Sequence, residues 1–229
     1  MLHGYGASLL QGAAITLAVA LASLALAMLL GLAGALAKLS RSRFWRGAAT
    51  VYTTLIRGVP DLVLMLLVFY GGQIAVNRVA PMLGIADYVD VDPFVAGVLT
   101  IGFIFGAYLT ETFRGAIIAI PPGQAEAARA YGMTPVQVLQ RIVLPQMVQL
   151  AIPSFANNWL VLVKSTALVS VIGLSDMMQR AGQAAGNTRE PFTFYLAVAV
   201  LYLAITSASV WLLRRLEARH SPGMRTLAS

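Results

Sequence analysis

Apolar residues in this chain fall into long unbroken blocks rather than alternating along strands or marking one stripe of a surface helix. The first block runs over residues 9–37 and holds no charge. Similar blocks cover residues 61–77, 94–120, 142–163 and 192–213. A helix needs about 20 mainly apolar residues to cross a bilayer, so the pattern predicts an all-α membrane protein with five transmembrane helices. Pro145 and Pro153 interrupt the fourth block, which is tolerable where neighbouring helices or a cavity satisfy the freed carbonyls. The first block is too long for a signal-peptide core and has no basic stretch before it, so it reads as a retained span. Residues 164–191 fit no span, because Thr166–Leu174 is too short and Asp176–Glu190 is polar. They are expected to form a re-entrant or capping element on the outer side.

Composition agrees. Of 229 residues, 59% are hydrophobic and 11% charged, where a soluble domain carries about a quarter charged. The whole chain, 1–229, therefore reads as a single transmembrane domain with short loops and no room for an independent catalytic unit. Cysteine is absent and the two histidines, His3 and His220, lie near opposite ends. That excludes a disulfide framework, a thiolate metal site and a histidine metal cluster.

The net charge of +7 marks loops, not a nucleic-acid surface. Lys38, Arg41, Arg43, Arg46 and Arg57 separate blocks one and two. Arg129 and Arg141 separate three and four, and Arg214, Arg215, Arg219 and Arg225 follow five. Between two and three stand Asp87, Asp90 and Asp92 against Arg78 alone. By the positive-inside rule the N-terminus is outside and the C-terminus cytoplasmic.

The cytoplasmic segment 121–141 has a defined local grammar. Pro121-Pro122-Gly123 stops the third span. Gln124–Tyr131 favours a short helix with Glu126 in its first turn, where an acid suits the positive dipole end. Gly132 suits a left-handed cap, and Thr134-Pro135 can open a second short helix reaching about Arg141. Two such helices could be an amphipathic linker. Alternatively, their row of alanines lets another surface approach the backbone closely.

The spacing goes further. Glu126-Ala127-Ala128, then Gly132, then Ile142-Val143-Leu144-Pro145 resembles the EAA signature of permease subunits of bacterial ATP-binding-cassette (ABC) importers. Thr53–Leu62, Thr110–Gly115, Asn157-Asn158-Trp159 and Lys164–Leu168 are similar to stretches of the polar amino acid permeases. Within that family the likeness is to Q-type subunits of histidine and lysine-arginine-ornithine importers. The resemblance implies a type I importer fold whose cytoplasmic coupling helices dock on a dimer of ATP-binding subunits. Glu126, Ala127, Ala128, Gly132, Ile142, Leu144 and Pro145 would form that dock. It also implies a second permease subunit of the M type, a periplasmic amino acid-binding protein, and a bacterial inner-membrane location. No cofactor is expected in this chain; ATP and Mg would be used by the partner ATPase, and the phosphate-loop motif is indeed absent from the sequence. Many relatives carry an acid where Ser165 stands, which puts this chain's share of a cation site in question.

Polar residues at membrane depth are the candidates for a substrate path, because a charge at mid-span is costly. Glu111 could face a cavity and bind a cationic substrate, or pair with Arg114 at i,i+3. Asp61 reads first as an acid at a helix start, with Arg57 four residues earlier. Asn157, Ser165, Thr166, Tyr108 and Thr110 could bind an amino acid without a permanent charge, or bond to neighbouring helices. Trp45, Trp159 and Trp211 read as interface anchors. The function expected is ATP-driven import of polar, cationic amino acids (histidine, arginine, lysine, ornithine). The alternative is an ion-coupled carrier working without an ATPase, which inverted repeats would often mark; none is found. An intramembrane enzyme has no supporting motif.

Overall fold

The computed structural model describes residues 2–85 and 88–220, with side chains through Arg215. Asp87, Arg219 and Arg225, used above for orientation, lie outside the described side chains, as does His220. Among the described residues, five helices are long and apolar enough to cross a membrane. The first, α1, is Gly6–Leu39. The second, Asp61–Val79, follows a helix that the block pattern did not anticipate: Arg43–Gly58 is helical too, and these become α3 and α2. Helix α4 is Pro93–Ile118. Two short helices, α5 (Pro122–Ala130) and α6 (Pro135–Val138), precede α7 (Leu144–Ser165). Helix α8 (Met177–Thr188) leads into α9, Pro191–His220.

Helices α1 and α4 run parallel and form the most extensive packing in the chain. The facing positions are small. A Cβ on Gly31 would lie 2.6 Å from Leu109 Cβ, and one on Gly106 would lie 2.8 Å from Leu30 Cβ. Lipid tails are as apolar as leucine, so helices in a membrane gain by close backbone approach, not by excluding water. Most of the fully buried hydrophobics of α1 and α4 belong to this seam.

Helix α2 corrects the reading of residues 38–60 as a simple loop. Ala49 and Thr53 face inward, Phe44, Val51 and Leu55 are exposed, and the arginines lie between. Sixteen residues with charges every few positions escape a search for long apolar blocks.

The fourth span also begins earlier than residue 142. Thr134 and Gln137 form a reciprocal capping box at the start of α6, and the helix then continues into α7 through a π turn at Leu139–Val143. Proline supplies the reason. Pro145 has no N–H for the Arg141 carbonyl and its ring crowds that position; a wider turn relieves both, and Leu144 N–H reaches Leu139 O instead. Trp159 consequently lies inside α7 and packs against the core, not at a span end.

Residues 164–191 resolve into a 3-10 segment, Thr166–Ile172, and α8. Met177, Ala181 and Ala184 of α8 pack with Leu9 and Ala13 of α1 and Phe194 of α9. This places α8 as a collar on the end of the bundle that carries the N-terminus. Asp176 caps it, accepting from Gln179 N at 2.9 Å. The other carboxylate oxygen is buried without a partner among the described residues.

Asp176 lies outside the membrane-crossing segments, and burial pushes its carboxyl up from 3.8 to about 6. A raised folded-state value means that the folded protein holds the proton more tightly than the unfolded chain. This group's contribution therefore falls as pH rises from about 4 to about 6 and stays lower above that. Asparagine caps as well as aspartate. Asp176→Asn should flatten that slope and stabilise the protein at pH 7 by on the order of 1–3 kcal/mol, read from unfolding midpoints in detergent between pH 4.5 and 7.5. A variant less stable at pH 7 with an unchanged slope contradicts this account.

Candidate functional site

Helix α5 stands apart from the bundle. Its main contacts are with the segment that opens the fourth span, and Ala128 of α5 and Val138 of α6 are both buried. Pro122 sits at its first position, so the helix starts before the expected Gln124 and Glu126 lies beyond its first turn; the proline that stops the third span also opens this helix. Met133 N–H returns to Ala128 O at 3.1 Å and Gly132 N–H to Arg129 O at 2.9 Å. This is the Schellman closure, and it requires the left-handed residue that Gly132 supplies at φ +82°. Glu126, Ala127 and Ala130 are exposed, and Tyr131 is 89% exposed. A nine-residue helix is marginal alone in water. This one leaves nearly all its surface uncovered. Of the other residues expected to form the dock, Leu144 and Pro145 are exposed and Ile142 is half-buried.

The second feature is a cleft of about 590 Å³ where α2, α3, α4 and α7 meet. Arg57, Asp61, Phe105, Tyr108, Glu111, Asn157 and Asn158 are among its lining residues. The Arg57 guanidinium carbon lies 5.3 Å from the centre of the Tyr108 ring, within cation–π range. Asn158 Nδ2 donates to Thr112 Oγ1 at 2.9 Å, joining α7 to α4. Pro153 withholds a donor from the Gln149 carbonyl beside this cleft, a break that a polar cavity tolerates.

Glu111 has both oxygens engaged. Arg114 Nε donates to Oε2 at 3.0 Å, and Lys38 Nζ on α1 donates to Oε1. Glu111 thus pairs with Arg114, as its spacing allowed, and with a second cation that the sequence did not suggest. Substrate access to Glu111 would require one of these pairs to open.

The expected path residues divide. Asp61, Tyr108, Glu111 and Asn157 line the cleft together. Asp61 occupies the first turn of α3 without a side-chain cap bond. Thr110 is fully buried, donating to Gly106 O at 2.8 Å and packed against Gly34 of α1. Thr166 is fully buried and donates to Val163 O at 2.6 Å. Ser165 is half-buried and does not line the cleft. Lys38 was legible only as a loop cation, whereas Arg57 was also read four residues before Asp61 and Arg114 at i,i+3 from Glu111.

The family model described as the inner membrane component of binding-protein-dependent transport systems matches residues 24–221. The chain belongs to that family. Among similar proteins is the histidine/lysine/arginine/ornithine transport system permease protein HisQ of Salmonella typhimurium, 52% identical over 98% of each chain. The octopine transport system permease protein OccQ of Rhizobium radiobacter is 41% identical over 97% of this chain and 94% of its own. A crystal structure of an amino acid ABC transporter with histidines superposes at a TM-score of 0.80, with 31% identity over 94% of this chain and 95% of that one. The inward-facing MetNI methionine ABC transporter shares the fold, with a TM-score of 0.75 at 20% identity over 93% and 95%. This permease is thus a membrane-embedded transport subunit and not an enzyme. ATP hydrolysis belongs to a separate subunit of such systems.

Removing the carboxylate from the Lys38–Glu111–Arg114 group leaves two cations facing each other without a counter-charge, which costs more than removing one cation and leaving a neutral pair. Glu111→Gln should lower stability by about 1–3 kcal/mol, and adding Lys38→Met should restore part of that. Unfolding midpoints of the two single variants and the double variant provide the cycle. Strict additivity would show that Lys38 and Glu111 do not interact.

Proposed function

We propose that this permease imports polar, cationic amino acids of the histidine, lysine, arginine and ornithine type, handed to it by a periplasmic binding protein. In this reading the N-terminus faces outward and α5 faces the cytoplasm. The observation that carries it is the alanine-faced, glycine-capped α5, exposed on nearly every side at the start of the helix that lines the cleft. The 52% identity to a permease named for those substrates supports the choice of cargo.

The remaining parts follow from that reading. A second permease, of the M type, completes the path across the open side of the cleft. Two ATPases, holding ATP and Mg, clamp on α5 and its counterpart. Their closure acts by differential affinity for two bundle conformations. In this half of the path, Asp61, Tyr108 and Asn157 offer a carboxylate, an aromatic face and an amide to a substrate ammonium. Glu111 is occupied by its own cations.

Reconstitution of the full complex in liposomes tests this. Glu126→Lys and Gly132→Val should each cut ATP-dependent histidine or arginine uptake by about ten-fold or more, with the ATPase lost on copurification while the permease remains in the membrane. Uptake by the permease with no ATPase present, driven by an ion gradient, would overturn the reading in favour of an ion-coupled carrier.

A further inference from the structure

A second polar groove lies on the flank of the bundle between α7 and α9, away from the cleft. It encloses about 630 Å³. Its walls are apolar, formed by Leu160, Leu203 and Val210, and Thr206 and Ser207 add hydroxyls. Three cations also line it: Lys164, Arg214 and Arg215. No carboxylate lines it among the described residues, and no ion pair among those residues engages the three.

The three cations come from the two helices that flank the groove. Leu213 shares a cavity with Met147, Ala151 and Phe155, whereas Thr166 lies near Tyr202, so α7 and α9 run in opposite directions. Side chains on a helix lean toward its N-terminus. Lys164 therefore leans toward the C-terminal end of α9, while Arg214 and Arg215 lean back toward Lys164. Arg215 is further positioned by Trp211, with its guanidinium carbon 3.8 Å from the ring centre. Lys164 belongs to a membrane-crossing segment, Pro135–Ile172, where a cation without a counter-charge is costly. The groove thus calls for an anion whose remaining surface is apolar.

We propose that this groove binds an anionic phospholipid, with its phosphodiester held by Lys164, Arg214 and Arg215 and its acyl chains along Leu160 and Leu203. Charge complementarity selects the occupant. Basic pockets between spans near a membrane face recognise such headgroups, and a tryptophan at the end of a span sits at headgroup level. Thr206 already donates to Tyr202 O at 2.8 Å, which leaves Ser207 to donate to a phosphate oxygen.

The test uses the complete transporter purified in mild detergent from bacterial membranes, with bound lipids quantified by mass spectrometry. The triple variant K164M/R214Q/R215Q should retain at least about five-fold less phosphatidylglycerol and cardiolipin per complex, with phosphatidylethanolamine unchanged. Equal retention overturns the proposal. So does loss of the second permease at unchanged lipid content per remaining permease, because the groove would then be a subunit interface. Should the triple variant fail to fold, the parent complex still decides. Brominated phosphatidylglycerol should quench fluorescence more than brominated phosphatidylcholine, and the difference should vanish in W211F; equal quenching by the two lipids rejects the site.

Discussion

The parallel contact of α1 with α4 is the constraint on which the rest of the permease depends. Neither helix has a hydrophobic reason to leave lipid for the other, so their association rests on how closely two backbones can pass. Gly31, Gly34, Gly102 and Gly106 remove the side chains that would hold them apart, and Lys38–Glu111 adds an ionic tie near the end of the seam. Everything functional is referenced to α4. It carries Tyr108 and Glu111 into the cleft, it receives Asn158 from α7, and it ends where α5 begins.

The five spans were legible because a bilayer imposes a length that few other structures need. The element boundaries were less so wherever a helix is short or polar. In α2, inward Ala49 and Thr53 recur at helical spacing, but the arginines among them made the segment look like a loop. Helix α8 hides its burial in alanines, Ala181 and Ala184, which carry little hydropathic signal. Between residues 121 and 141 the cap at Gly132 and the start at Thr134 were legible, since each has one favoured position at a helix end, whereas Pro122 opens α5 earlier than expected and moves Glu126 out of its first turn.

The cleft was partly legible for a different reason. A polar residue inside an apolar block attracts notice whatever its direction, and direction is what sequence alone does not supply. Thr110 and Glu111 are neighbours in the chain yet about 100° apart around α4, so one packs on α1 and the other opens to the cleft. Lys38 is separated from Glu111 by 73 positions, and only the register of α1 on α4 brings it there. The signals that did carry, such as Asn157 beside the Pro153 break, did so because a broken helix inside a membrane has few explanations other than a cavity.

The π turn at Leu139–Val143 sits midway between the exposed α5 and the cleft-lining half of α7. A turn of this kind contains one residue more than its α-helical equivalent. Reverting to α-helical pitch would rotate the remainder of α7 by about 100°, but it would set the Pro145 ring back against the Arg141 carbonyl, so the wide turn is held in place. The proline that forces the wide turn thereby sets the angular position of the rest of α7, and with it which side chains, Asn157 among them, look into the cleft.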